Sequence, residues 1–335
     1  MMLTVEQERS PLIEIDGGSK IWTVAFTADG EHIIGGGASG LQVWRVKDGK
    51  QMATMVARGI WCLAVSKNCR WIAAGTFNGY SIVWDAKTFE KAFTHKEDGY
   101  DISGVDFSPD SARLVTAPQN RTASVWDVEA RKKVLTLDHE DRIRAAKYSL
   151  QGDRIATATF ESVRVWDSND GRLLVGVPVT VIPLFSNGLL WSNNHLFVVS
   201  DSTIKQLEAS TGSTVSEWPV TSSEYVSCIT LPQHDNVNGE FFAHSTNDAV
   251  TFLDTSTHLR VGLIQHTQPI RSIALSPDNR FLAIGGNSGK ITIKDLRDVS
   301  PVSYLTVSIA HYWIICIRLV LLLIHLTSIS VRHVD

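Results

Sequence analysis

The chain has 335 residues, of which 44% are hydrophobic and 20% charged, so it can bury a core and general disorder is not expected. Its 31 basic and 35 acidic residues give a formal net charge of −4, which argues against a nucleic-acid binder with a basic face. The four cysteines show neither a CxxC pair nor zinc spacing, and residues 1–17 lack a basic stretch followed by an apolar run. The sequence therefore predicts a cytoplasmic protein without a disulfide framework.

A Val-Trp pair recurs along the first half of the chain with nearly constant spacing. Its tryptophans are Trp44, Trp84, Trp126 and Trp166, and all but the first precede an aspartate. The same frame continues to the less obvious positions Leu207, Leu253 and Lys294. Seven units of similar length therefore occupy most of residues 17–303.

Each unit has the pattern of short antiparallel strands. In the third unit, residues 102–107, 113–117, 122–127 and 132–137 are predicted strands, with period-two alternation broken by Pro, Asp, Asn and Gly. The turn Ser-Pro-Asp at residues 108–110 returns at residues 276–278. Helical periodicity is absent until the C-terminal tail, so the pattern predicts an all-β domain.

A four-stranded unit of about 41 residues that ends in Trp-Asp resembles the WD40 family of β-propellers. The resemblance covers roughly residues 12–300 and implies an all-β, seven-bladed β-propeller with four-stranded antiparallel blades over residues 12–303. Residues 1–11 are predicted to form an N-terminal lead, and residues 304–335 a hydrophobic tail with a helix outside the propeller. The sequence looks most like the fungal WD40 modules found alone or attached to nucleotide-binding signalling proteins.

The resemblance also implies a hydrogen-bonded network of His, Ser or Thr, Asp and Trp within each blade. Two blades come near that pattern, and the other blades lack at least two members. The residues expected to play this structural role are His95, Thr116, Asn120 and Trp126 in blade three, with His139, Thr157 and Trp166 in blade four. Because a His beside a Ser or Thr recurs from blade to blade, we interpret it as structural rather than as a catalytic triad.

Two segments compete for the outer strand that closes the ring. Residues 12–16 sit where a fourth strand would precede blade one, and residues 302–307 follow the last predicted strand. A propeller avoids open edges by closing its ring. We favour the N-terminal segment because it would clamp the two ends of the domain together.

No catalytic motif survives inspection of the sequence. The glycine-rich stretch at residues 285–290 resembles a phosphate loop, but Ile284 and Ile291 stand where such a loop needs Gly and Ser or Thr. No pair of histidines has the helical spacing of a metal site. The sequence predicts a non-enzyme that uses no cofactor and no metal.

Partner binding is the default function, and the resemblance implies the narrow face of the ring. The positions mapped there are rich in Trp, Tyr, Phe and Arg, the residue types of interface hot spots. At the first strands they are Lys20, Trp22, Trp61, Asp101, Arg142, Arg144, Tyr225 and Arg271, and at the loop tips Phe77, Gln119, Phe160 and Asn287. One cluster is expected on blades one and two (Trp22, Trp61, Phe77) and another on blade four (Arg142, Arg144, Phe160).

The two tryptophans of this set have a competing interpretation as core residues. Trp22 and Trp61 follow Ile21 and Ile60, which occupy the core-facing phase of their strands. Alternation along a strand places the tryptophans on the opposite side, unless a β-bulge shifts the phase. Both interpretations stay open at this point.

Residues 305–330 are almost continuously apolar, with Arg318 near the centre. Three interpretations compete: a tail outside the fold, a membrane anchor, and a helix packed on the propeller or a partner. The leading prediction is a non-catalytic scaffold for protein partners, without nucleic acid. The alternative is a membrane-associated propeller held by this tail; lipid binding by the ring itself is disfavoured because the Phe-Arg-Arg-Gly motif of phosphoinositide-binding propellers is absent.

Overall fold

A computed structural model describes residues 12–97, 100–179, 188–200, 203–220, 226–232 and 241–298. In these ranges the chain forms seven four-stranded antiparallel sheets and one short 3-10 turn, Leu296–Asp298. Each sheet is one blade, and neighbouring blades pack through their first strands. The seven-bladed, all-β prediction is confirmed.

The first three complete blades contain the four tandem strands of one repeat each. Blade one comprises β2 (Ile21–Phe26), β3 (His32–Gly37), β4 (Gly40–Arg45) and β5 (Gln51–Met55). Blade two comprises β6 (Ile60–Val65), β7 (Trp71–Thr76), β8 (Tyr80–Asp85) and β9 (Lys91–Lys96). Blade three comprises β10 (Ile102–Phe107), β11 (Arg113–Pro118), β12 (Thr122–Asp127) and β13 (Lys132–Asp138), close to the predicted bounds.

The second half of the ring repeats this arrangement. Blade four comprises β14 (Ala145–Tyr148), β15 (Arg154–Ala158), β16 (Ser162–Asp167) and β17 (Leu173–Pro178). Blade five comprises β18 (Leu189–Ser192), β19 (His195–Val199), β20 (Thr203–Glu208) and β21 (Thr214–Pro219). Blade six comprises β22 (Cys228–Thr230), β23 (Phe241–Ser245), β24 (Ala249–Asp254) and β25 (Arg260–Gln265). The last blade contains β26 (Ile270–Leu275), β27 (Phe281–Gly286) and β28 (Lys290–Asp295).

The N-terminal segment β1 (Ile13–Asp16) supplies the outer strand of the last blade. It pairs antiparallel with β28, with Ile13 opposite Ile293 and Ile15 opposite Ile291. The Lys290 ammonium lies 2.5 Å from a carboxylate oxygen of Glu14 across the same pair. The two ends of the domain are therefore joined in one sheet, as the favoured alternative expected, while residues 302–307 lie outside the described part.

Both faces of each blade are covered by neighbouring blades, so the second strands are buried almost throughout. All six residues of β7 are buried, whereas the outer strand β9 alternates between exposed and half-buried positions. Small residues make room for the next blade: a Cβ atom on Gly75 would lie 2.5 Å from Cγ2 of Ile102. A Cβ atom on Gly285 would lie 2.8 Å from Cγ2 of Ile21, which repeats this contact where the ring closes.

The predicted repeat frame holds around the whole ring. The four tryptophans and the positions assigned by register alone all fall in third strands, at Trp44, Trp84, Trp126, Trp166, Leu207, Leu253 and Lys294. The N-terminal lead, residues 1–11, and the apolar tail, residues 304–335, lie outside the described residues. Within the part that is described, no helix has the length and apolar character needed to cross a bilayer.

Candidate functional site

The first strands of four blades carry a β-bulge at the same position. In blade one, Ile21 pairs with Gly37 and Thr23 pairs with Gly36, so Trp22 is the extra residue of the bulge. The first strands of three other blades have register shifts at the corresponding position. The extra residue is Trp61 in blade two, Ser103 in blade three and Arg271 in blade seven. A bulge adds a residue that the ladder does not use and re-aims its side chain.

These bulges lie at one end of the ring, which we call the bulge face. It is the end at which the first strands begin and the loops between second and third strands turn. The residue before each bulge is core: Ile21, Ile60, Ile102 and Ile270 are 2% exposed or less. The bulge residues Trp22 and Trp61 are only half-buried. The bulge, rather than simple alternation, therefore turns the tryptophans away from the interblade core.

Three rings on blades one and two form an aromatic cluster. The ring centroid of Trp61 lies 4.5 Å from that of Phe77 and 6.3 Å from that of Trp22, and Trp22 meets Phe77 edge-on at 5.1 Å. Such tilted and edge-to-face pairs stabilise one another beyond their buried area. The sequence mapping expected these three side chains to gather, and the structure brings them together.

The backbone beneath Phe77 fixes this cluster. The Phe77 amide donates to the carbonyl of Gly59 over 3.0 Å, and Gly59 adopts a left-handed φ of +65°. A Cβ atom on Gly59 would lie 2.9 Å from Cδ2 of Phe77. Only glycine combines this conformation with this approach at little cost, so the loop before β6 is fitted to the ring above it.

A second cluster on blade four combines an arginine with an aromatic ring. The guanidinium carbon of Arg144 lies 4.0 Å from the centroid of Phe160, a cation–π contact, and Phe160 is 40% exposed. Burial, followed by the charge of Arg142, lowers the pKa of the Arg144 guanidinium. Burial also raises the pKa of Asp101, which the positive charge of Arg144 partly offsets.

The remaining mapped positions surround these two clusters. Arg271 donates from Nε to Oδ1 of Asn287 over 3.1 Å, which joins a bulge residue to the loop tip of the last blade. The Gln119 amide donates to the Asp101 carbonyl over 2.7 Å. Lys20 and Arg142 are exposed, and Tyr225 lies outside the described residues.

The blade-three residues form a network whose acid comes from the preceding blade. The Trp126 indole donates to the Thr116 hydroxyl over 3.1 Å, and that hydroxyl donates to Oε1 of Glu97 over 3.0 Å. His95 stacks on Trp126, with centroids 3.7 Å apart, and its Nε2 has no hydrogen-bond partner among the described residues. Asn120 stays apart from this network and accepts from the amide of Thr122.

Sequence reasoning missed Glu97 because it searched the loop between the second and third strands for an acid. Glu97 instead follows β9, two residues after His95, and is only 6% exposed. The His-x-Glu spacing at the end of an outer strand is the signal that would have found it. Its second carboxylate oxygen accepts from Ser124 over 3.5 Å, so this residue ties blade two to blade three.

Blade four has the same indole contact but leaves its histidine without hydrogen bonds. The Trp166 indole donates to the Thr157 hydroxyl over 2.7 Å, and His139 meets Trp166 edge-on at 5.1 Å. Both ring nitrogens of His139 are buried without a partner among the described residues. Burial and the charge of Arg164 lower the pKa of His139 to about 4.

Among the residues that the structure describes, one group of possible metal ligands occurs at the opposite end of the ring, where sequence analysis expected none. The ligand atoms of Asp29, Glu31 and His32 lie within 4.8 Å of one another. The Asp29 carboxylate already accepts from the Thr27 hydroxyl at 2.5 Å and the Glu31 amide at 2.9 Å. These contacts define the turn between β2 and β3, so the group is explained by the fold.

The fold defines the class of this protein: it is a seven-bladed β-propeller, and three of its segments match a model of the WD40 repeat. The family model "WD domain, G-beta repeat" matches residues 49–85, 88–127 and 256–295. WD40 propellers are typically scaffolds for protein interactions and generally not enzymes.

Several curated proteins are similar to this chain over long stretches. "WD repeat-containing protein 18" of Danio rerio is 23% identical over 310 residues, covering 82% of this chain and 70% of that protein. "U3 small nucleolar RNA-associated protein 15 homolog" of Xenopus laevis is 26% identical over 57% of this chain and 37% of its own length. "Protein groucho" of Drosophila melanogaster is 27% identical over 46% of this chain and 22% of its own length. The chain thus spans well under half of the last two relatives.

Proposed function

We propose that this propeller is a non-catalytic scaffold that captures protein partners on its bulge face. The observation that carries the proposal is the aromatic cluster of Trp22, Trp61 and Phe77, held half-buried at the end of the ring by two bulges. Tryptophan and arginine dominate interface hot spots because a large, preformed surface can be desolvated at little entropic cost. A cation–π pair, Arg144 and Phe160, stands on blade four of the same face.

At the opposite end of the ring, polar side chains are used in hydrogen bonds that hold the turns together. Its turns are closed by short polar side chains, as where the Ser108 hydroxyl donates to Asp110 over 2.5 Å and the Asp110 carboxylate accepts from the Ala112 amide. Turns of neighbouring blades are also hydrogen-bonded to each other, because the backbone amide of Asn68 donates to the Ser111 hydroxyl of the next blade. Groups engaged in this way offer a partner little new contact energy, which favours the bulge face as the docking surface.

An affinity capture with matched variants tests the proposal. The bait is the full chain, with Trp61→Ala on the bulge face and Leu259→Ala as the control; Leu259 is 66% exposed in the turn between β24 and β25 at the other end. We expect quantitative mass spectrometry to find proteins that the wild type and Leu259→Ala retain and that Trp61→Ala loses by about tenfold or more.

Thermal unfolding accompanies the capture experiment. Because Trp61 lies outside the interblade core, we expect its truncation to change the melting temperature by only a few degrees. Partners retained equally by all baits would contradict the choice of face. A collapse of stability in Trp61→Ala would show that the ring belongs to the core, which would also remove the proposed docking surface.

Two further predictions, the absence of nucleic acid from the complex and the cytoplasmic location, are tested by separate measurements. One relative is by name associated with U3 small nucleolar RNA, so the captures are run with and without ribonuclease. Partners that survive ribonuclease support direct protein binding and the absence of nucleic acid. Imaging of the tagged full chain, with and without residues 304–335, tests the cytoplasmic prediction and the alternative of a membrane anchor.

A further inference from the structure

We infer that Arg144 and Phe160 form a subsite that receives a carboxylate side chain of the protein partner. This inference rests on the proposed function, since it names the chemistry of the partner that the bulge face would bind. The subsite lies at the start of blade four, on the first strand and on the loop between the second and third strands.

The guanidinium of Arg144 is held in place but not satisfied. Its Nε is buried and has no hydrogen-bond partner among the described residues. The guanidinium carbon lies 4.0 Å from the centroid of the Phe160 ring. Guanidinium offers five donors and no acceptor, and a buried donor without an acceptor costs free energy. An anion from outside the chain would complete this site.

The last blade shows how the same fold satisfies an arginine at the equivalent bulge position. There, Arg271 donates from Nε to the side-chain oxygen of Asn287, which occupies the loop position that Phe160 has in blade four. Blade four places an aromatic ring where that acceptor stands. The ring covers one face of the guanidinium. Since Nε is buried and the residue as a whole is half-buried, we expect a ligand to meet the terminal amino groups of Arg144.

The neighbouring charges favour a carboxylate over a phosphate. The charges of Arg142, Asp141 and Asp101 all act on the Arg144 guanidinium. Two arginines and two aspartates sum to zero, so a single negative charge is accommodated more easily than the dianion of a phosphate. A planar carboxylate also matches the fork of the guanidinium with two parallel hydrogen bonds.

The aromatic cluster of Trp22, Trp61 and Phe77 indicates a second contact that the bound protein segment would make. Blade three separates the cluster on blades one and two from Arg144, and its first strand β10 packs against both β6 and β14. The blade-three bulge residue Ser103 is engaged inward, donating to the carbonyl of Ile143 over 3.0 Å. We therefore expect a protein segment that spans blade three, with an apolar side chain on the rings and an Asp or Glu on Arg144.

Selection of random dodecapeptides displayed on phage tests this inference with the full chain as target. We expect wild type to enrich peptides with Asp or Glu next to apolar residues, and Arg144→Gln to lose their binding by about tenfold or more. Arg144→Glu is expected to reverse the preference toward Lys and Arg. The matched control is Arg154→Gln, on the same blade at the start of β15 and thus at the other end of the ring, and it should keep the acidic preference.

A defined probe separates the carboxylate from other anions. In the chain labelled with 15N-arginine, we expect the Nε–H resonance of Arg144 to shift saturably with sodium acetate, and less with inorganic phosphate at equal ionic strength. A response to both salts equal to that of sodium chloride would overturn the subsite. Saturation by phosphate alone would overturn the choice of carboxylate.

The outcomes distinguish the inference from the proposed function. Peptides that need Trp61 but show no acidic preference, and that bind Arg144→Gln equally well, would refute the subsite and leave the docking face standing. A selection that enriches no peptide dependent on either residue counts against both. Arg144→Gln is expected to melt within a few degrees of the wild type, because it removes one half-buried contact with Phe160 at the end of the ring, so lost binding would not reflect unfolding.

Discussion

We expect the buried histidine His139 to make the stability of this propeller sensitive to acid, by an amount that follows from its surroundings. It is only 7% exposed, packs edge-on against Trp166, and finds no hydrogen-bond partner for either ring nitrogen among the described residues. Burial first, and the charge of Arg164 second, lower its pKa from 6.5 to about 4. The folded protein therefore holds this ring neutral at pH values at which the unfolded chain protonates it.

The sign of the pH dependence follows from proton binding. Between pH 6.5 and 4 the unfolded state binds more protons than the folded state, so the free energy of unfolding falls as pH falls. The pKa difference makes the loss from His139 about 2 kcal/mol at pH 5 and about 3 kcal/mol below pH 4. His244 in β23 also has a pKa lowered to about 4 by burial, and it should contribute a similar loss.

Urea unfolding between pH 7.5 and 4.5 measures this effect on the wild type, His139→Leu and His244→Leu. We expect each substitution to reduce the decrease in unfolding free energy by about 2 kcal/mol at pH 5. The two reductions should add in the double variant, because the residues lie on different blades. An unchanged pH dependence in His139→Leu would show that this ring is solvated or hydrogen-bonded, which would refute the reasoning.

Three further substitutions test the packing between blades and the turns, each by chemical denaturation. Gly75→Ala should cost about 1–3 kcal/mol because its Cβ would lie 2.5 Å from Cγ2 of Ile102, and Ile102→Ala, which removes Cγ2, should make the double variant less destabilised than the sum of the two single substitutions; an additive double variant would contradict the contact. Arg131→Gly should stabilise the fold by about 0.5 kcal/mol, since Arg131 has a left-handed φ of 56° in a turn where Gly171 stands one blade later; a loss of stability would mean that the Arg131 side chain stabilises the fold by more than its left-handed backbone conformation costs. Glu97→Ala should cost about 1–3 kcal/mol by removing the nearer acceptor of the Thr116 hydroxyl, which otherwise reaches only the Ser124 carbonyl at 3.4 Å, and Glu97→Gln should cost less; equal costs would mean that packing, not hydrogen bonding, dominates there.

The blade architecture could be predicted from the sequence because it is a local property repeated many times. Period, turn and strand pattern agree in each unit, so even Leu207, Leu253 and Lys294 were assigned to third strands without a tryptophan to mark them. Agreement across several levels of sequence information is what specifies a fold. The meeting of Trp22, Trp61 and Phe77 on adjacent blades followed from the same repeat.

The details of the site could not be predicted in this way because they depend on pairing between segments. A bulge is a shift in the pairing register between two strands. The alternation of apolar and polar residues along β2 or β6 alone therefore cannot predict it. Glu97 reaches the network of the following blade from the end of β9, so a search confined to one repeat could not find it. The orphaned Nε of Arg144 likewise depends on which residue stands at Phe160, on another strand connection.

The bulges explain how one ring can hold a fixed core and a variable surface at the same time. Each sheet is covered on both faces by its neighbours, so a side chain that follows the pleat of an inner strand enters a packed layer. In three blades a bulge releases one residue from that layer, namely Trp22, Trp61 and Arg271. In blade three the bulge residue Ser103 is instead buried and donates to the Ile143 carbonyl of the next blade. The side chains of the bulge face can therefore differ from blade to blade while the backbone stays the same. Here the face is aromatic on blades one and two and cationic on blade four, and a partner can bind according to this difference.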